Sequence, residues 1–171
     1  MMDKGRIELR SAAVLQDLIA NVPGGLVTFD GDLHAGKTTL ARAIGRALDY
    51  PVLDLDPYLE RQRGVYVKAL RVTEIVHAVD EALARSSVVL LSGVCILQAL
   101  EIARLEKILS VYVRRLSPMG IPSDLDTADA EDGKPFHNHP DTPALFKEIH
   151  TYRAAYRSLA HADVVFLRTA D

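Results

Sequence analysis

Gly31-Asp32-Leu33-His34-Ala35-Gly36-Lys37-Thr38 satisfies the pattern Gly-x-x-x-x-Gly-Lys-Ser/Thr at every fixed position. A β-like apolar run, Leu26-Val27-Thr28-Phe29, precedes it, and Thr39 to Leu48 follows with apolar residues at helical spacing. Strand, glycine loop and helix is the setting in which this pattern binds phosphate. Glycines let the backbone curl until several N–H groups converge on one phosphate chain, and the start of the helix adds its positive dipole end. Gly31, Asp32, His34, Ala35, Gly36, Lys37, Thr38 and Thr39 are therefore the expected nucleotide-binding residues. Lys37 is expected to reach the β- and γ-phosphates, and the Thr38 hydroxyl to hold Mg²⁺, which makes ATP and Mg²⁺ the expected cofactors.

Working outward, Pro51-Val52-Leu53-Asp54-Leu55-Asp56 reads as a second strand with two aspartates at its carboxyl end. Residues 66–85 have a helical pattern. Ser87-Val88-Val89-Leu90-Leu91-Ser92-Gly93 is a continuous apolar strand of the kind buried on both faces of a parallel sheet. A helix is predicted over 96–107, a strand over 110–115, a helix over 144–160 and a last strand over 162–167. Residues 6–20 place Ile7, Val14, Leu15, Leu18 and Ile19 near one helical face, and Pro23-Gly24-Gly25 ends that segment. The alternation predicts an α/β fold, a three-layer sandwich around a five-stranded parallel sheet, as one domain over 1–171. Residues 117–143 differ: they hold five of the eight prolines and few large apolar residues, and are expected to form a lid or mobile loop.

Composition narrows the function classes. A chain of 171 residues, 49% hydrophobic and 25% charged, is that of an ordinary globular domain. A net charge of −3 argues against nucleic acid as the main partner. No apolar run approaches the ~20 residues needed to span a bilayer. The single cysteine, Cys95, excludes an intrachain disulfide and suits a reducing compartment. A cytoplasmic protein, monomer or homodimer, is the expectation.

Ligands of such sheets lie beyond the carboxyl ends of the strands. There Asp54 and Asp56, two residues apart in an extended segment, are expected to face one space beside Thr38. One would hold Mg²⁺ and the other would accept a proton from an attacking hydroxyl; a solvated strand-end pair is the alternative. Arg114 and Arg115 suit phosphate or carboxylate, with Arg114 the expected catalytic cation beside Lys37 and Asp56. Arg61 and Arg63 carry less weight. Arg153 and Arg157 share a helical face that is either directed at ATP or exposed. Phe136-His137-Asn138-His139-Pro140-Asp141 reads as a polar loop tip rather than a metal cluster.

These segments resemble the P-loop small-molecule kinases of the P-loop NTPase superfamily, with a nucleoside-monophosphate-kinase-like fold. Asp56-Pro57-Tyr58-Leu59 looks like the second-strand motif of uridine kinases, in which the first aspartate serves as base for a sugar hydroxyl. Asp54-x-Asp56 followed by Glu60-Arg61 looks equally like shikimate and gluconate kinases, where the first aspartate serves the metal and the second the acceptor. The resemblance implies transfer of the γ-phosphoryl of ATP to a hydroxyl of a nucleoside, sugar or cyclic alcohol, with Thr38 and Asp54 at the metal and Asp56 at the acceptor. Three departures stand out. Ser92-Gly93-Val94 is not the glycine-rich turn of the shikimate branch, Ser92 replaces the acidic residue of uridine kinases, and residues 117–143 contain no arginine. They keep open a non-catalytic ATP-binding regulatory protein on a kinase scaffold. The lack of Asn-Lys-x-Asp and Asp-x-x-Gly argues against a GTPase.

Overall fold

A computed structural model describes residues 6–60, 62–134 and 139–169. Arg61, Phe136, His137 and Asn138 therefore lie outside the described residues. Among these, the strands are β1 (Ile7–Leu9), β2 (Gly25–Gly31), β3 (Val52–Asp54), β4 (Val88–Ser92), β5 (Lys107–Leu116) and β6 (Val164–Thr169). The helices are α1 (Ala12–Ala20), α2 (Lys37–Leu48), α3 (Val72–Leu83), α4 (Ile96–Ala103), α5 (Leu125–Glu131) and α6 (Ala144–Tyr156). All strand pairs are parallel, in the order β1-β6-β5-β2-β4-β3.

The sheet thus has six strands, not the five expected. The additional one is β1, which falls inside the segment read as a helix from residue 6. Ile7 pairs with Val164 and Leu9 with Phe166, while Ser11 caps α1 by accepting from the Val14 N–H at 3.4 Å. Three residues of alternation cannot be told from the first turn of a helix; a partner some 150 positions away decides the matter.

Apolar alternation explains the three layers. Val27 and Phe29 of β2, with Val88 and Leu90 of β4, pack on Leu15 and Ile19 of α1 and on Leu40, Ala41 and Ile44 of α2. Leu26, Val89 and Leu91 point the other way, onto Ile75 and Val79 of α3, Ile96 and Leu100 of α4, and Ile149 and Tyr152 of α6. β4 is buried along its whole length, as its continuous apolar run requires.

β2 lies between β4 and β5, so chain connections leave it in both directions. That switch point opens a crevice beyond its carboxyl end, where the chain bends into the phosphate-binding loop. Between residues 117 and 134, α5 forms and its last residue, Glu131, is buried. No helix among the described residues is long and apolar enough to cross a membrane.

Candidate active site

The phosphate-binding loop leaves β2 through Gly31 at φ 138°, where a Cβ would lie 2.0 Å from the Val113 carbonyl oxygen, so only glycine fits. Gly36, at φ 80°, caps the start of α2, and a Cβ there would lie 2.0 Å from the Arg168 guanidinium. Between them His34 adopts φ 56°, a left-handed conformation unusual for a residue with a side chain.

Two clefts open on either side of this loop and share His34, Gly36 and Thr39. The first, about 250 Å³, is lined by Leu33, Lys37, Thr38, Asp54, Asp56, Gly93 and Val94 as well. The second, about 330 Å³, adds Ala35, Arg115, Arg168 and Thr169.

In the first cleft the Thr38 hydroxyl is 3.1 Å from Asp54 Oδ2 and 2.9 Å from Ser92 Oγ. Asp54 Oδ1 accepts the Asp56 N–H at 3.2 Å, and Arg42 Nη2 approaches Asp54 Oδ2 at 3.9 Å. Asp56 reaches the same cleft, but not by strand alternation. β3 ends at Asp54, Leu55 is helical, and Asp56 opens a 3₁₀ turn over Asp56–Tyr58 with Pro57 at its second position. Asp56 Oδ1 accepts from the buried Tyr66 hydroxyl at 2.7 Å. The oxygen set of Thr38 and Asp54, with Ser92 alongside, suits a hard divalent cation held partly by phosphate and water. Among the described residues no group of three or more His, Cys, Asp or Glu could hold a metal alone, and His139 is exposed beside Asp141.

Lys37 is buried, and its Nζ donates to the carbonyls of Gly31 at 3.0 Å and Asp32 at 2.6 Å. Burial lowers its pKa, with Asp30 opposing that shift.

Asp32 turns away from both clefts. Its N–H donates to Val113 O at 3.1 Å. Its carboxylate accepts from Tyr112 Oη at 2.8 Å and from the Arg115 N–H at 3.2 Å. Burial raises its pKa against the pull of Arg153. It braces the loop from behind rather than lining the phosphate side.

Arg153 is neither exposed nor directed into a cleft. It is 2% exposed and donates through Nη2 to Gly31 O at 2.6 Å and through Nη1 to Tyr112 Oη and, at 3.2 Å, to Glu131 Oε1. Asp30 accepts from Tyr152 Oη and from the Gly31 N–H. Burial works against the Arg153 charge, but Tyr112, Asp30, Asp32 and Glu131 outweigh it and drive its pKa upward. Sequence reasoning missed this network because its members come from β2, β5, α5 and α6.

Arg114 lines neither cleft and contributes a favourable charge beside Asp32. Its neighbour Arg115 lines the second cleft, in register with Arg168 on the adjacent strand. Arg168, also missed, donates weakly to the carbonyls of Ala35 and Gly36. The available signal was an arginine at the carboxyl end of the apolar run Val164-Val165-Phe166-Leu167. Arg63 pairs with Glu60 on the surface, at 2.8 Å.

A glycine-loop strand-to-helix unit at the switch point of a parallel sheet, facing two aspartates and a threonine, defines a P-loop kinase. The sequence pattern of the shikimate kinase family matches residues 34–168, and the chain belongs to that family. A shikimate kinase from Ralstonia nicotianae is 32% identical over 149 residues, 79% of this chain and 75% of its own. A solved structure from Bacillus stearothermophilus, described as a possible uridine kinase, superposes with TM-score 0.59 at 15% identity over 91% of this chain and 96% of that one. A shikimate kinase from Acinetobacter baumannii in complex with shikimate gives TM-score 0.48 at 16% identity, covering 91% and 89%. The chain is thus a small-molecule kinase of the P-loop class, an ATP-using phosphotransferase that acts on an alcohol group. A non-catalytic regulatory protein is not favoured.

Proposed function

We propose that this kinase phosphorylates a hydroxyl of a small cyclic or polyhydroxylated acceptor, with shikimate the first candidate because its family and its Ralstonia relative carry that name. The observation that carries the site assignment is that Lys37, Thr38, Asp54 and Asp56 line a single cleft. In this reading the acceptor oxygen attacks the γ-phosphorus while the bond from that phosphorus to the β–γ bridging oxygen breaks, and ADP departs with the electron pair. The acceptor proton passes to the Asp56 carboxylate, already on the cleft wall. Lys37 would leave its two loop carbonyls to offset charge on the phosphates. Thr38 and Asp54 would hold Mg²⁺, which when bound offsets charge on the β- and γ-oxygens.

The second cleft suits the remainder of the nucleotide, with Arg115 and Arg168 supplying the cations that residues 117–143 lack. This reassigns the cationic role from Arg114 to Arg115. The lid role of 117–143 is supported by its attachment: it leaves β5 beside that cleft, where the Ser123 N–H donates to Arg115 O at 2.9 Å. Shielding the cleft from water would limit loss of ATP to hydrolysis. The test is ADP release from Mg·ATP with shikimate, gluconate, uridine and further nucleosides, sugars, sugar acids and cyclic alcohols, against a blank without acceptor. ADP formed with one acceptor class establishes the reading and its substrate. Equal release in the blank, or none anywhere, overturns it.

A further inference from the structure

The acceptor side of the cleft is built on a segment with little regular structure of its own. The described residues of 55–60 and 62–71 include two 3₁₀ turns, Asp56–Tyr58 and Val67–Ala69, and an isolated bridge between Leu59 and Leu70. Such a segment does not hold a carboxylate still by itself. Two part-buried contacts do it instead.

The first is made by α6. Glu148 extends both carboxylate oxygens to consecutive backbone N–H groups at the start of the second turn: Oε2 accepts from Tyr66 at 2.8 Å and Oε1 from Val67 at 2.9 Å. A charged acceptor gripping two adjacent donors fixes both position and orientation of that backbone. Tyr66 is thereby turned inward, 4% exposed.

The second contact is made by the Tyr66 hydroxyl. It accepts from the Val94 N–H, at 3.5 Å, and that leaves its own proton for Asp56 Oδ1 at 2.7 Å. Burial and the adjacent Asp56 push the Tyr66 pKa upward, so the phenol keeps that proton. Tyr66 therefore ties the turn after β3 to the end of β4 and commits one oxygen of Asp56, while the other, without a hydrogen bond among the described residues, is left for an acceptor hydroxyl.

We propose that Tyr66 is the positioning residue of Asp56 and that Glu148 is the clamp that sets Tyr66. The proposal rests on the reading of Asp56 as the proton acceptor. It gives α6 two duties, since Arg153, five residues on from Glu148, holds the loop that would carry the phosphates. One helix thus sets the spacing between the group that would carry the phosphoryl donor and the group that would receive the proton, a distance on which transfer rates depend steeply.

The experiment compares wild type, Tyr66→Phe, Glu148→Gln, Asp56→Asn and the Tyr66→Phe/Asp56→Asn double variant with Mg·ATP and the panel acceptor of highest kcat/KM. Tyr66→Phe is expected to lower kcat about 10- to 100-fold with the KM for ATP within about twofold, and Glu148→Gln to lower it in the same sense by less. In the Asp56→Asn background the Tyr66 change is expected to add nothing. A slowly exchanging phenol proton in the NMR spectrum of the wild type should vanish in Tyr66→Phe and move in Asp56→Asn, whatever the acceptor. Asp56→Asn with undiminished turnover sinks the reading of Asp56 itself. Asp56→Asn inactive with Tyr66→Phe at wild-type kcat overturns the positioning proposal alone, as does a Tyr66 effect that multiplies in full in the double variant. Should Tyr66→Phe melt early, Glu148→Gln decides by the same kcat-against-KM split.

Discussion

The two sides of the phosphate-binding loop use the same kinds of side chain to opposite ends. Behind the loop, Asp30, Asp32, Tyr112, Tyr152, Glu131 and Arg153 form a buried network, each 5% exposed or less. In front, Asp54 and Asp56 line an open cleft, where Asp54 Oδ2 meets the Thr38 hydroxyl and, more distantly, Arg42, and Oδ1 accepts the Asp56 N–H. Carboxylates behind are committed to fixed donors and shape the backbone. Carboxylates in front stand on the wall of an open cleft, where a ligand can reach them. An aspartate's neighbours, not its distance in sequence from the glycine motif, decide which it becomes: Asp32 lies inside the motif and faces away, while Asp54 is sixteen residues beyond Thr38 and touches it.

The comparison breaks most sharply at Asp56 and Arg153. Asp56→Asn is expected to cut kcat by about 10²- to 10⁴-fold with unfolding midpoint and nucleotide affinity unchanged; steady-state kinetics, urea titration and nucleotide titration check the three parts. Arg153→Met is expected to do the reverse in kind. It leaves Glu131 and Asp32 buried without their cation and should cost about 3–5 kcal/mol in stability, read from urea unfolding. If Arg153→Met left stability intact while abolishing turnover, the division between rear and front would fail.

Lys37→Ala comes next, with nucleotide affinity expected to fall about 100-fold, or ~2.7 kcal/mol, in a direct titration. Lys37 stands between the two regions, buried like the rear but contributing to the front. Unchanged affinity would remove the loop from the nucleotide site altogether.

The smallest effect concerns pH. Glu131 is held above the usual carboxylate range by burial, with Arg153 opposing. The folded protein then binds this proton more tightly than the unfolded chain, so the associated stability is complete below the unfolded value near 4.5 and fades as pH rises through the raised folded value. Asp32 shifts in the same direction. Glu131→Gln, which cannot ionise, should flatten that decline, seen by comparing unfolding free energies on either side of the window. An unchanged slope would assign the decline to Asp32.

The front was largely legible in the sequence and the rear was not, for a physical reason. Lys37 and Thr38 belong to a local pattern whose chemistry dictates its spacing, and Asp54 and Asp56 end an apolar run whose carboxyl end must face the crevice. The rear is assembled from pairs 22 to 122 positions apart, such as Arg153 with Glu131 and with Gly31. No local spacing encodes such meetings. The helical pattern around Arg153 offered only an exposed or an ATP-facing side, because a buried arginine is justified only by partners that sequence does not display. The missing strand β1 has the same cause, since its identity comes from β6.

That small strand has a consequence for how the molecule behaves in a crowd. Across the sheet from β1 to β3, strand lengths run 3, 6, 10, 7, 5 and 3 residues. Among the described residues both borders are thus very short, and Glu8 of β1 pairs with Arg6, just before the strand, at 3.3 Å. A border that short offers an incoming chain few unpaired backbone groups to copy. Without β1, the six-residue, strongly apolar β6 would itself be the border. Three residues at one margin therefore act as a stop on further sheet growth, a safeguard against self-association that has no part in phosphoryl transfer.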